Sequence, residues 1–184
     1  MKTLLTAVSA LAFLSVPALA DSIHVKDLGV PECVMPNPTP FFTDGSGHYI
    51  NVPMGTQSKP NGAVIAKDVY ASWPELAGHS PYSALVGDIQ ATFAFSEPQA
   101  SISFAWGTVG NTDEVRFFQN HGLGTARTLV GRMSGAKLLQ NLHMAGTPNV
   151  YVRLTLDNAT FNRVEFSSTG YSFEFGNINA MCGK

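Results

Sequence analysis

Charge is scarce in this sequence and has no strong sign: 11 Lys and Arg stand against 13 Asp and Glu among 184 residues. A chain that grips nucleic acid or an anionic membrane through its overall field concentrates basic residues, so this composition has no footprint of either partner. Cysteine is nearly absent. Cys33 and Cys182 are too few for a disulfide-dense scaffold and too far apart for a close Cys-pair zinc site. Long apolar runs are missing after residue 20, and a bilayer-crossing helix needs roughly 20 such residues. The five histidines are scattered, with no pair at helical spacing and no acidic loop on the EF-hand pattern.

What is present begins with Lys2, an apolar run from Leu4 through Val16 and the small-residue close Ala18-Leu19-Ala20. That is the order of a secretory signal peptide, so residues 1–20 are expected to be removed and the mature chain to begin at Asp21. The expected location is secreted or periplasmic, with no membrane span after cleavage. The remaining 164 residues suit one domain, 21–184, with a real core. In an oxidising compartment Cys33 and Cys182 are expected to form a disulfide that fastens the two ends, worth roughly 5 kcal/mol in the chain-entropy model.

Residues 21–85 are irregular, punctuated by Pro36, Pro38, Pro40, Gly45, Gly47, Pro60 and Gly62, with short strands expected at 47–52 and 63–65. From residue 88 to 178 the pattern sharpens. Ala91, Phe93 and Phe95 alternate with polar or small residues, then Ile102, Phe104 and Trp106, then Val150, Val152, Leu154 and Leu156. Val164 and Phe166 lead through the Thr169-Gly170 turn to Tyr171, Phe173 and Phe175. This period of two is that of strands with one face in a core. Phe93 and Trp106 are expected on a strand pair joined at Ser96–Pro98, and Phe166 and Phe173 on another. Ser134 to Leu142 is the one helical candidate, with Ser134 as N-cap and Leu138, Leu139 and Leu142 on one face. Seven to nine short strands with these turns predict an all-β antiparallel sandwich, jelly-roll-like, with one short helix.

The run Phe104-Ala105-Trp106-Gly107-Thr108, Glu114 to Phe117, Leu129 to Gly131, Asn149 to Val152 and Phe161 to Val164 carries a family likeness, as does the close from Ser167 to Ile178. Over residues 88–178 the chain resembles the exosortase-dependent, PEP-CTERM-type surface proteins of Gram-negative bacteria. The resemblance implies an exported, non-catalytic β-sandwich of the cell exterior or biofilm matrix. The chain departs from the pattern in closing on Met181-Cys182-Gly183-Lys184, where such proteins carry Pro-Glu-Pro, a hydrophobic helix and a basic tail. It also has Gly176 where relatives often carry Asp.

Chemistry-bearing candidates are few. Asn111, Asp113 and Glu114 could offer oxygen ligands to Ca²⁺, the only cofactor the residues suggest, against the simpler account of a polar turn starting a strand. Glu165 and Glu174 fall on the polar faces of successive strands and could serve a jelly-roll glycan hydrolase as acid and base if the strands pair. Solvated surface carboxylates with Arg163 and Arg153 as charge partners are the plainer alternative. Gly78-His79-Ser80-Pro81-Tyr82 lacks the glycine and the setting of a hydrolase elbow. Flat rings outside the core can stack on sugars, and Trp73, Tyr82 and Tyr70 are the residues expected to do so. Phe118, beside Phe117, is expected to face away from the core and either meet another layer or mark an exposed contact. The leading expectation is therefore a binding or structural protein whose partner is a polysaccharide or a surface or matrix component.

Overall fold

The computed structural model describes residues 22–29, 41–44, 46, 48–50, 63–66, 82–85, 87, 89–120, 126–170 and 173–180. The expected signal peptide, Cys33, Cys182, Tyr70, Trp73 and the Gly78–Ser80 segment lie outside them.

Among the described residues the chain forms strands β1 (Ile23–Asp27), β2 (Phe41–Thr43), β3 (Tyr49–Ile50), β4 (Ala63–Ala66), β5 (Tyr82–Leu85) and β6 (Gln90–Gln99). There follow β7 (Ser101–Gly107), β8 (Asp113–Asn120), β9 (Arg127–Ser134), helix α1 (Gly135–Leu142), β10 (Val150–Leu156), β11 (Phe161–Ser168) and β12 (Phe173–Asn179). They form two six-stranded sheets, ordered β1-β10-β7-β12-β5-β4 and β3-β2-β6-β11-β8-β9. Every pairing is antiparallel. This is the all-β sandwich that the alternation predicts.

Two expected strand pairs take a different form. β6 and β7 lie in opposite sheets, as do β11 and β12, so each connection arches over the core instead of closing a hairpin. Alternation shows which face of a strand is buried, and a strand on either side of the core meets that demand equally well. The Ser96–Pro98 segment is no turn but an irregular part of β6. The register there jumps from Arg163↔Ala94 to Phe161↔Gln99, and Pro98 has no N–H for the ladder.

Cross-strand rows show the core directly. In the second sheet Phe42, Ala91, Phe166, Val115 and Met133 stand side by side, each nearly or wholly inaccessible. From the first sheet Phe104, Trp106, Phe173 and Phe175 meet them. The Phe166 ring joins the layers, lying 5.0 Å from Phe104, 5.4 Å from Phe173, 4.7 Å from Phe175 and 5.5 Å from Phe93 between centroids. Edge-to-face and offset contacts at such spacings add to the burial of the rings themselves.

Helix α1 forms where its local signals place it. The Ser134 side chain accepts from the Lys137 N–H at 3.2 Å, and His143 ends the helix in the left-handed region at φ 54°. Leu138 is buried, and Leu139 and Leu142 rest against the core. At the helix start Gly135 passes so close to the Gly110 carbonyl that a β-carbon would collide with it. The helix thereby pins the 108–112 loop.

Removing the Phe166 ring should cost roughly 3–5 kcal/mol, the usual range for a buried Phe→Ala change. Urea unfolding of Phe166→Ala against the unaltered chain measures this. A loss below about 1 kcal/mol would mean that the two layers do not depend on this ring.

Candidate functional site

The polar faces of the two sheets differ. On the second sheet, register sets Phe41, Thr92, Glu165, Arg116 and Arg132 in one row across β2, β6, β11, β8 and β9. The next row runs Tyr49, Thr43, Gln90, Ser167, Glu114 and Ser134. These positions alternate with the core residues, so their side chains face outward.

Glu165 is nonetheless 0% exposed. Three guanidiniums cover it. Arg163 donates to Oε1 through Nε at 3.0 Å and through a terminal nitrogen at 2.8 Å. Arg127 forms a short ion pair with the same oxygen, and Arg116 stands 3.6 Å from Oε2. Two of these arginines are held in turn by rings, Arg127 over Phe118 at 4.7 Å and Arg163 over Phe41 at 5.2 Å. Phe118 does face outward as expected, but it is only 7% exposed under Arg127. An assembly contact through that ring is thus not on offer.

Beside this cluster an open cleft of about 650 Å³ runs along the sheet. Asp44 and Ser46 from the β2–β3 turn, Gln90, Glu114, Arg116 and the Ser167–Thr169 strand end line it. Asp44 accepts from the backbone N–H of His48 and of Ser46, both at 2.9 Å. Those bonds, the His48 one foremost and aided by the His48 charge, hold its carboxyl below the ordinary range. Tyr49, 77% exposed, stands in the same row as Gln90, Ser167 and Glu114, and its ring lies 5.6 Å from Phe41.

The calcium candidates point apart. Asp113 faces inward, 1% exposed, and its Oδ2 accepts from the Gly110 N–H at 2.8 Å and from the Trp106 indole N–H at 3.2 Å. Glu114 faces outward toward Arg116 and Arg132, and Asn111 is exposed in the loop. Among the described residues no three His, Cys, Asp or Glu side chains gather as a metal group would require.

The carboxylates Glu165 and Glu174 are neither adjacent nor solvated. They occupy opposite sheets because β11 and β12 do, and Glu174 is 8% exposed, with its Oε2 accepting from the Thr108 hydroxyl at 2.9 Å. Arg163 partners Glu165 from the same strand instead of across it. Tyr82 lies in β5 opposite Ala66 and Gly176. The cleft residues Arg116 and Gln90 are marked by no sequence motif. Each occupies an outward position of an alternating strand, which was a usable signal, but the strand order that brings them together was not readable.

No family model matches the chain, and no curated protein matches it. Among solved structures, the enzymatically active domain of bacteriophage CBA120 tailspike protein 4 is similar at a TM-score of 0.25 and 11% identity, over 85% of this chain. The chain spans 18% of that protein's length. So slight a likeness carries no argument about the fold or the function.

Burial raises the Asp113 carboxyl above its ordinary value of 3.8, partly offset by the hydrogen bonds from Gly110 and Trp106. A carboxyl with a raised folded value binds protons more readily in the native state. Its contribution is fully present below 3.8 and is lost as pH rises through the folded value. Asp113→Asn removes this titration. The melting temperature of the unaltered chain relative to Asp113→Asn should therefore rise as pH falls from neutral toward 4. A gap that stays constant, or that closes with acid, would contradict the burial effect.

Proposed function

We propose that the protein is an exported, non-catalytic β-sandwich of the cell exterior or biofilm matrix that binds carbohydrate. The observation that carries this reading is the open cleft on the second sheet, with the exposed Tyr49 ring in line with Gln90, Ser167 and Glu114. A pyranose offers hydroxyls at its edge and C–H groups on its faces. Amide, hydroxyl, carboxylate and guanidinium side chains along a shallow strip suit the first, and a flat ring suits the second. An open strip also admits a polymer in passing, which an enclosed pocket does not.

The likeness to PEP-CTERM-type surface proteins supports the exterior setting, and the signal-like residues 1–20 support export. The strand sets 10-7-12-5 and 6-11-8-9 support a jelly-roll form of the sandwich. The hydrolase alternative draws nothing from Glu165 and Glu174, which sit in opposite sheets and open onto no common cleft among the described residues. Trp73, Tyr70 and Tyr82 are the platform expected from sequence, and the experiment separates it from Tyr49.

Retention on an array of bacterial and plant polysaccharides, with and without calcium and with product detection, tests the reading. Tyr49→Ala should weaken retention roughly tenfold, equivalent to about 1.4 kcal/mol, while melting as the unaltered chain does. Loss with Trp73→Ala and none with Tyr49→Ala would move the platform to the other site. Released oligosaccharide would replace binding by hydrolysis.

A further inference from the structure

We infer that the cleft takes an anionic polysaccharide, one whose sugars carry carboxylate or sulfate groups, with the oxyanion received by Arg116 at the cleft wall and by its cross-strand neighbour Arg132 just beyond it. The inference rests on the carbohydrate reading above and narrows its ligand class.

Four of the chain's five arginines, Arg116, Arg127, Arg132 and Arg163, project from the same face of one sheet, although the chain as a whole is net −2 at pH 7. Against them stand Glu114 and Glu165 on the strands and Asp44 at the cleft rim. Arg127 and Arg163 are occupied by the buried Glu165 carboxylate and by the rings beneath them. Arg116, which reaches Glu165 Oε2 only at 3.6 Å and without a hydrogen bond, and Arg132 are held less closely. They are direct cross-strand neighbours, a like-charge pairing that by itself destabilises a sheet.

Their existing partners satisfy them poorly. Arg132 is 73% exposed and reaches Glu114 Oε2 only at 4.0 Å. Arg116 stands 3.4 Å from Glu114 Oε1 through Nε, close enough for an ion pair but at an angle that makes no hydrogen bond, and this buried Nε has no other acceptor. A carboxylate or sulfate seated on the exposed Arg132 guanidinium, beside the accessible part of Arg116, would offset the repulsion that Glu114 alone neutralises at long range. Guanidinium groups bind such planar or tetrahedral oxyanions through paired N–H donors, which a neutral sugar cannot match. Arg116 lines the cleft, and the Tyr49 row lies one strand pair-step along the same face, so a single chain of sugars can meet ring and charge together.

The test compares retention of the full chain on a polyuronate, a sulfated polysaccharide, a neutral glucan and single-stranded DNA, from low to physiological salt. Arg132→Glu is the chosen variant because its exposure spares the fold, and Lys26→Glu on the first sheet is the matched charge control. Preferential retention of the acidic polysaccharides, weakened by salt and by Arg132→Glu about fivefold or more, with Lys26→Glu unchanged, is the expected result. Equal retention of neutral and acidic glycans would overturn the acidic preference while leaving sugar binding intact. Equal loss in both variants would reduce the effect to net charge and overturn the site. DNA held as well as the polyuronate would make the ligand any polyanion and overturn the assignment to sugars. Retention of no polymer at all would overturn the carbohydrate reading itself.

Discussion

The structure depends on the contact between the two sheets at Phe166. β11 lies in the interior of its sheet, between β6 and β8, so the ring it sends inward reaches the middle of the sandwich. There it meets rings of β7 and β12 from the opposite layer and of β6 from its own. Because successive strand residues point to opposite faces, fixing Phe166 inward fixes Glu165 outward. The aromatic contact and the arginine cluster are therefore two sides of one register. A one-residue slip of β11 would place a carboxylate in the core and a phenyl ring among guanidiniums, which makes this register hard to lose.

On the outer side the governing fact is desolvation. A carboxylate with no exposed surface needs strong partners, and burying an ion pair gives little net stability even when the geometry is good. Here the partners are numerous: guanidiniums from β8, β9 and β11 converge on one residue. The result is positional. Long, flexible side chains from different strands are held in place, Arg127 and Arg163 pressed on aromatic faces, and Arg116 joins this cluster to the wall of the neighbouring cleft. Arg116 belongs to both features, turning one nitrogen to Glu165 and another to Glu114, the carboxylate beside it in the cleft wall.

Much of the architecture was legible because its signals are local. Phe93, Phe104, Trp106, Phe166 and Phe175 announce buried strand faces by period alone, and Ser134 with the following leucines announces a capped helix. What period cannot say is which sheet a strand joins. The brief turn at Thr169-Gly170 reads as a hairpin, yet it carries the chain across the core, and the imagined neighbours Glu165 and Glu174 part company as a result. Asp113 and Glu114 illustrate a second limit. They look alike in sequence and are adjacent, but a strand turns one under Trp106 and the other toward Arg116. The cleft was less visible still, since it joins residues of β2, β6, β8 and β11 whose order emerges only from the full set of pairings.

The inward turn of Asp113 also bears on the cleft, from beneath. Its carboxyl ties Trp106 of one sheet to the loop that starts β8 in the other. In that loop Thr112 shares a hydrogen bond with the Ser168 hydroxyl at 3.3 Å, and its carbonyl accepts from the Thr169 N–H at 3.4 Å. The Gly170 N–H donates to the same Ser168 hydroxyl at 3.1 Å, and a β-carbon at Gly170 would strike Thr112. Ser168 and Thr169 are themselves cleft residues. Their positions thus follow from packing behind them rather than from anything in the groove, and the groove's end wall is as firm as the indole–carboxyl contact under it. The cleft takes its shape in this way: its charged wall is set by a buried carboxylate, Glu165, in front, and its hydroxyl wall by a second, Asp113, behind.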